Sequence, residues 1–227
     1  AAFAAWCVLL ARWPQLWLFA VPAALPWLDF SPWTGWVTFS EFDLLLLASI
    51  AAGHARLATR SAGQLAQGSN RIPGPVAIAG WALVLASGIG LVRGLADAGG
   101  FVFGWFQSYP DPMNSIRLAK PVLMVVLLVP LLRAEIERSM EGAMRLLAAG
   151  MCAGLAVVAA AVVMERSAYP GLFEFSRPYR AVALFWEMHV GGAAIDGYLA
   201  MAVPFAAWAW CSARTPWQAS MAALLAL

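Results

Sequence analysis

MRLLAAGMCAGLAVVAAAVVM, residues 144–164, decides what kind of molecule this chain is. Arg145 is its one charge, and the nineteen residues from 146 to 164 carry none. A helix rises about 1.5 Å per residue, so a run of this length covers the roughly 30 Å of a bilayer's hydrocarbon core. The apolar residues are continuous and do not alternate, which excludes a strand of a membrane barrel. Working outward, the same reading gives spans at 13–27, 42–57, 75–95, 118–132, 144–164 and 193–210, and Trp217 opens another. Pro22 and Pro26 should bend or end the first of these, unless it joins residues 1–11 as one longer, broken segment.

The whole chain agrees with its central stretch. Of 227 residues 63% are hydrophobic and 11% charged, with a mean hydropathy of +0.76. Soluble domains average about 45–50% apolar and about 25% charged, so a water-soluble globule is excluded. A formal net charge of +2 and three cysteines exclude a basic-patch nucleic-acid binder and a disulfide scaffold. Cys7, Cys152 and Cys211 stand in apolar runs and read as buried thiols.

The expected architecture is all-α: a polytopic helical membrane protein of about six to seven transmembrane helices. It forms a single helical domain over 1–227, with polar outer loops near 29–41, 98–117 and 165–192. Residues 64–75, rich in Gly, Pro and amides, read as a loop. The charged stretch 133–145 reads as a short surface helix or turn. Apolar runs at both ends, from Ala1 and up to Leu227, suggest part of a longer bundle, so the remainder of the same polypeptide is an expected partner.

Lys and Arg near helix ends set orientation. Eight (Arg12, Arg56, Arg60, Arg71, Arg133, Arg138, Arg145, Arg214) fall on one side and six (Arg93, Arg117, Lys120, Arg166, Arg177, Arg180) on the other. The first side is therefore expected to be cytoplasmic, and the outer side holds nine of the twelve acids. Cations there work against the insertion bias. They read either as snorkelling side chains paired with Asp111, Glu165, Glu174 or Glu187, or as an anion site at the outer boundary.

The segment 165–196, ERSAYPGLFEFSRPYRAVALFWEMHVGGAAID, is the most polar near a span. Arg177 and Arg180 precede residues 181–190, too short to cross, and Gly191–Gly192 offers a turn before the next helix. Such a segment is expected to dip in and line a polar cavity. Arginine suits phosphate because its planar fork gives two parallel charge-assisted bonds at any pH. Asp196 reads as compensation of the helix dipole. His189 is a candidate general base, although a lone histidine is more often structural, and Glu187 is as well suited to pairing Arg180 as to chemistry.

With His54 and His189 the only histidines and no ligand-spaced motif, metal binding has no support, and neither does a GxSxG serine nucleophile. No cofactor is expected. The GxxxG spacings Gly90/Gly94 and Gly150/Gly154 read as helix packing. Most tryptophans read as interfacial anchors, while Trp105, Phe106 and Tyr109 offer a surface for stacking a sugar.

Three segments together, ALPWLDFSPWTGWVTFSEFDLLLL (24–47), NSIRLAKPVLMVVLLVPLL (114–132) and YRAVALFWEMHVGGAAIDGYLAMAVPF (179–205), resemble the O-antigen ligase and O-antigen polymerase-like superfamily. The likeness is greatest to its exopolysaccharide-cluster members and covers about two-thirds of the chain. The last segment is similar to the family pattern through Arg180, Phe185, Gly191–Gly192, Tyr198-Leu199-Ala200 and Pro204. The resemblance implies a GT-C-like fold and an inverting, metal-independent glycosyltransferase in the bacterial inner membrane. Its donor would be an undecaprenyl-diphosphate-linked glycan, and its acceptor a sugar on a glycan or lipid at the periplasmic face. Arg180 matches the diphosphate-clamping arginine of the pattern, Arg117 and Lys120 fall in the matching NSIRLAK segment, and Arg177 joins them on charge alone. His189 and Glu187 are the candidate catalytic residues. In that family the catalytic histidine sits in a large loop after more helices than this chain contains, so it is also to be sought beyond Leu227. The competing expectation is a transporter or flippase of lipid-linked glycans.

Overall fold

The computed structural model describes residues 2–28, 39–59, 74–104, 110–176, 179–185, 193–218, 220 and 223. Among these the regular elements are all helices: α1 (Ala2–Arg12), α2 (Leu16–Leu28), α3 (Glu41–Thr59), α4 (Gly74–Asp97), α5 (Pro112–Arg138), α6 (Met140–Ala168) and α7 (Ala193–Cys211). Five of them, α3 to α7, are long and apolar enough to cross a membrane. The chain is a multi-pass helical membrane protein.

Several boundaries differ from those read off hydropathy. The first expected span, 13–27, is the short helix α2 of 13 residues, and residues 2–11 of its alternative continuation fall in a separate helix, α1 of 11. At about 1.5 Å per residue neither reaches across the core. Pro22 and Pro26 do not end α2, which continues through both to Leu28. The charged stretch 133–145 is no separate surface helix. It is the last turns of α5 and the first of α6, broken only at Ser139, whose extended backbone (φ −164°) donates its N–H to Glu135 O. The loop expected from 98 to 117 ends early: Asp111 is the N-cap of α5 and Pro112 opens it, a position where a missing N–H costs nothing.

The chain divides into two compact units, residues 1–11 with 31–139 and residues 12–30 with 140–227. In the first, α3 and α5 run in the same direction, fixed by polar pairs at both ends. Lys120 Nζ bonds Asp43 Oδ2 near the start of both helices. At the other end Arg56 lies 3.7 Å from Glu135, which also meets Arg138 at 3.9 Å. Between them His54 Nε2 sits 2.9 Å from Leu127 O, and Gly53 makes room for Leu131, whose Cδ2 would stand 2.9 Å from a Cβ there. Trp6 Nε1 donates to Ser49 Oγ at 3.0 Å and ties α1 to α3. Gly94, near the end of α4, faces Ser115 at the start of α5, so those helices are antiparallel.

The second unit is built on α6. Its Gly150 and Gly154, the expected packing spacing, receive α2 in parallel. A Cβ on Gly150 would collide with Phe19 O and with Pro22 Cγ at 2.7 Å. One on Gly154 would meet Tyr198 Oη, Pro22 O at 2.9 Å and Pro26 Cγ at 3.4 Å. The proline rings therefore act as knobs, and the helix that lacks their N–H groups is held by its neighbour. The α7 helix returns antiparallel, and Met151, Leu155, Val158, Ile195, Tyr198, Ala202 and Ala206 form the core between α6 and α7.

Candidate functional site

The described part of the expected site starts where α6 ends. Gly171 adopts φ +99°, open to glycine without a steric penalty, and its N–H bonds back to Arg166 O at 2.8 Å. Arg166 turns the other way, donating to Glu174 O at 2.7 Å with its guanidinium 4.9 Å from the Phe175 ring. Glu174 accepts the backbone N–H of Ser176 at 2.7 Å and its hydroxyl, which together hold its carboxyl below the usual carboxylate range. The loop is thus folded onto the helix end by one arginine and one glycine.

Residues 179–185 form a second loop, wrapped around Glu165. That carboxylate accepts the Tyr179 hydroxyl at 2.6 Å, the Val182 N–H at 3.1 Å and the Ala183 N–H at 2.6 Å. Ala183 takes φ +52°, a left-handed backbone that costs an alanine roughly 1–2 kcal/mol and persists because the two amides are aimed at one anion. The acceptor bond from Glu165 stabilises the neutral phenol and pushes the Tyr179 pKa up to about 12. Phe185 completes the anchorage, its ring 5.3 Å from that of Tyr198.

Arg180 stands on this anchored loop. Its guanidinium pairs with Asp196 in the first turn of α7, and both side chains are exposed, 57% and 58%. Exposed pairs of this kind contribute about 0–1 kcal/mol, so Asp196 restrains Arg180 only weakly. Asp196, expected only to offset a helix dipole, is therefore the counter-ion that holds Arg180. Glu165 and Glu174, cation partners in one of the two readings of the outer charges, are spent instead on backbone amides and hydroxyls.

Arg117 and Lys120 lie in the first unit, on α5. Arg117 is half-buried and donates to Asn114 Oδ1 from Nε at 3.3 Å and Nη2 at 3.0 Å. Lys120 is committed to structure: its side chain is 12% exposed against 8% for Asp43, and its ammonium lies 5.3 Å from the Phe39 ring centroid. Arg177, Glu187, His189, the Gly191–Gly192 turn, and the aromatic group of Trp105, Phe106 and Tyr109 lie outside the described residues.

Two elements were missed from the sequence. Ser40 and Asp43 form a reciprocal N-terminal cap of α3: Ser40 N–H donates to Asp43 Oδ2 at 2.7 Å and Asp43 N–H to Ser40 Oγ at 3.3 Å. The S-E-F-D spacing is a visible signal for it. The role of Glu165 has no local signal, because its partners lie 14 to 18 residues away. Among the described residues no three His, Cys, Asp or Glu side chains gather as a metal site. Comparison with protein-family models, curated proteins and solved structures gives no match.

Proposed function

We propose that this chain is the donor-binding transmembrane part of a glycan ligase or polymerase with a GT-C-like fold in a bacterial inner membrane, acting on an undecaprenyl-diphosphate-linked glycan. The observation that carries the reading is Arg180: a solvent-reaching guanidinium on a loop locked by Glu165, restrained only weakly by Asp196. A diphosphate presents several acceptor oxygens to that fork, and charge-assisted bonds to phosphate are about twice as strong as neutral ones. Arg177, two residues ahead of the anchored loop, is the second proposed ligand. Lys120 serves the helix pair instead, and Arg117 is assigned to the donor by family resemblance alone.

In the reaction an acceptor hydroxyl attacks the anomeric carbon while the bond from that carbon to the diphosphate oxygen breaks on the opposite face, giving inversion. The hydroxyl proton passes to a base, for which His189 and Glu187 are the candidates in this chain. The electron pair leaves with undecaprenyl diphosphate, and fixed guanidinium charge stabilises it without a metal. The test is glycan transfer by the full-length protein in membranes. Arg180→Ala should abolish transfer with insertion intact, and Arg180→Lys should be defective because it loses the fork. Normal transfer in both would remove Arg180 from the site. Movement of lipid-linked glycan across the bilayer without transfer would make the protein a transporter.

A further inference from the structure

The other end of the second unit carries a site of its own. Arg214 is followed by T-P-W-Q, and Thr215 Oγ1 accepts the Gln218 N–H at 3.3 Å while Gln218 Oε1 accepts the Arg214 N–H at 3.0 Å. This cap starts a new helical turn at Pro216 and fixes where Arg214 leaves the chain. Between that turn, the end of α7 and the first half of α6 opens a groove of about 640 Å³. Its size lies within the roughly 300–1,000 Å³ of small-molecule sites.

The groove has a polar mouth and an apolar floor. Arg145 and Arg214 stand at the mouth, and Ala149, Cys152, Ala153 and Ala156 of α6 form the floor. These α6 positions recur every three or four residues and so share one face. From Ala149 to Ala156 the floor runs about 10 Å along the helix, and with Arg145 at the mouth the groove spans about 16 Å, close to one leaflet of a core about 30 Å thick. Trp217 flanks the mouth, where an amphipathic indole suits the headgroup boundary. Glu141 pairs with Arg145 and lies 4.0 Å from Arg214. Two guanidiniums against one carboxylate leave the mouth one positive charge in excess, and all three side chains are exposed.

We propose that this groove binds an anionic glycerophospholipid, with its phosphodiester on Arg145 and Arg214 and one acyl chain along the alanine floor. The excess charge selects an anionic headgroup over a zwitterionic one, whose ammonium would face the arginines. The length and apolarity of the floor select a lipid over free phosphate, which needs only the mouth. The site is independent of the glycan chemistry proposed above.

The experiment reconstitutes the full chain in nanodiscs of phosphatidylethanolamine and phosphatidylglycerol and counts retained lipids by native mass spectrometry. One net arginine contact at a membrane surface corresponds to roughly fivefold enrichment of phosphatidylglycerol over its bulk share. Arg145→Gln with Arg214→Gln should abolish the enrichment, bringing retention to the bulk ratio or below it because Glu141 then stands alone. Glu141→Gln, at an exposed position, should raise enrichment above wild type, an effect that misfolding does not produce. Ala153→Phe should fill the floor and abolish retention with the charges intact. Bulk-like retention by the wild type overturns the proposal, and is the result expected if later parts of this chain fill the groove. Enrichment that survives Ala153→Phe also overturns it, leaving surface attraction alone.

Discussion

Replacing Asp43 by Asn keeps an acceptor for the Ser40 N–H and hydroxyl but removes the charge that neutralises Lys120. Both side chains are nearly out of solvent, 12% and 8% exposed, so the ammonium loses the carboxylate it bonds in a poorly hydrated place. Breaking a buried pair from one side costs about 3–5 kcal/mol. The Phe39 face near the ammonium is there in both proteins and cancels, so the expected loss is about 3–5 kcal/mol. The companion change, Lys120→Met in the Asp43→Asn background, removes the ammonium as well and should bring stability back to within about 1 kcal/mol of wild type. The assay is unfolding of the full chain in mixed dodecylmaltoside–SDS micelles, followed by tryptophan fluorescence over the four proteins of the cycle. If Asp43→Asn is silent, or the double variant is as unstable as the single one, Lys120 is not held by Asp43 and its assignment to structure is wrong.

Three further outcomes follow from the same geometry. Gly154→Val places side-chain carbon where Pro22 O and Tyr198 Oη stand, and should cost about 1–3 kcal/mol in the same micelle assay, with no loss if α2 does not pack there. Ser40→Ala removes half of the α3 cap and should cost about 1 kcal/mol; an unchanged midpoint would mean that the cap adds nothing. Tyr179, raised from 10.0 to about 12, favours the protonated phenol when folded, so its stabilising contribution is complete below pH 10 and fades as pH rises through 12. Glu165→Gln should return its ultraviolet titration, read as the difference from Tyr179→Phe, toward 10, whereas an unmoved curve would mean that the two groups do not meet in solution.

Helix positions were legible because the signal is additive over twenty residues: α4, α6 and α7 begin or end within a few residues of their apolar runs. Helix ends were not, because hydropathy falls at Arg133 and Glu165 while the backbone ladder continues to Arg138 and Ala168. Long side chains carry polar heads out of the apolar layer without breaking the helix. The short α2 was misread for the opposite reason: its composition is membrane-like and its prolines suggest an end, but Gly150 and Gly154, more than a hundred residues later, give both rings a seat. At the candidate site Arg180 was singled out from charge and chemistry, while its anchorage was invisible. The Glu165 bonds to Val182 and Ala183 use backbone amides, which no side-chain pattern encodes.

The proline knobs of α2 also set its height. Pro22 and Pro26 are four residues apart, as are Gly150 and Gly154, so the contact resembles two teeth in two notches. A slide of one turn in one direction brings Pro26 against Val158, which is already buried in the core; the opposite slide brings Pro22 against Leu146. Neither position has the bare backbone that a pyrrolidine ring needs. The notch is two turns deep and closed above and below, so α2 has one vertical setting on α6 and cannot act as a piston. Any motion that a working cycle requires of the second unit must therefore carry this pair of helices together as a single strut.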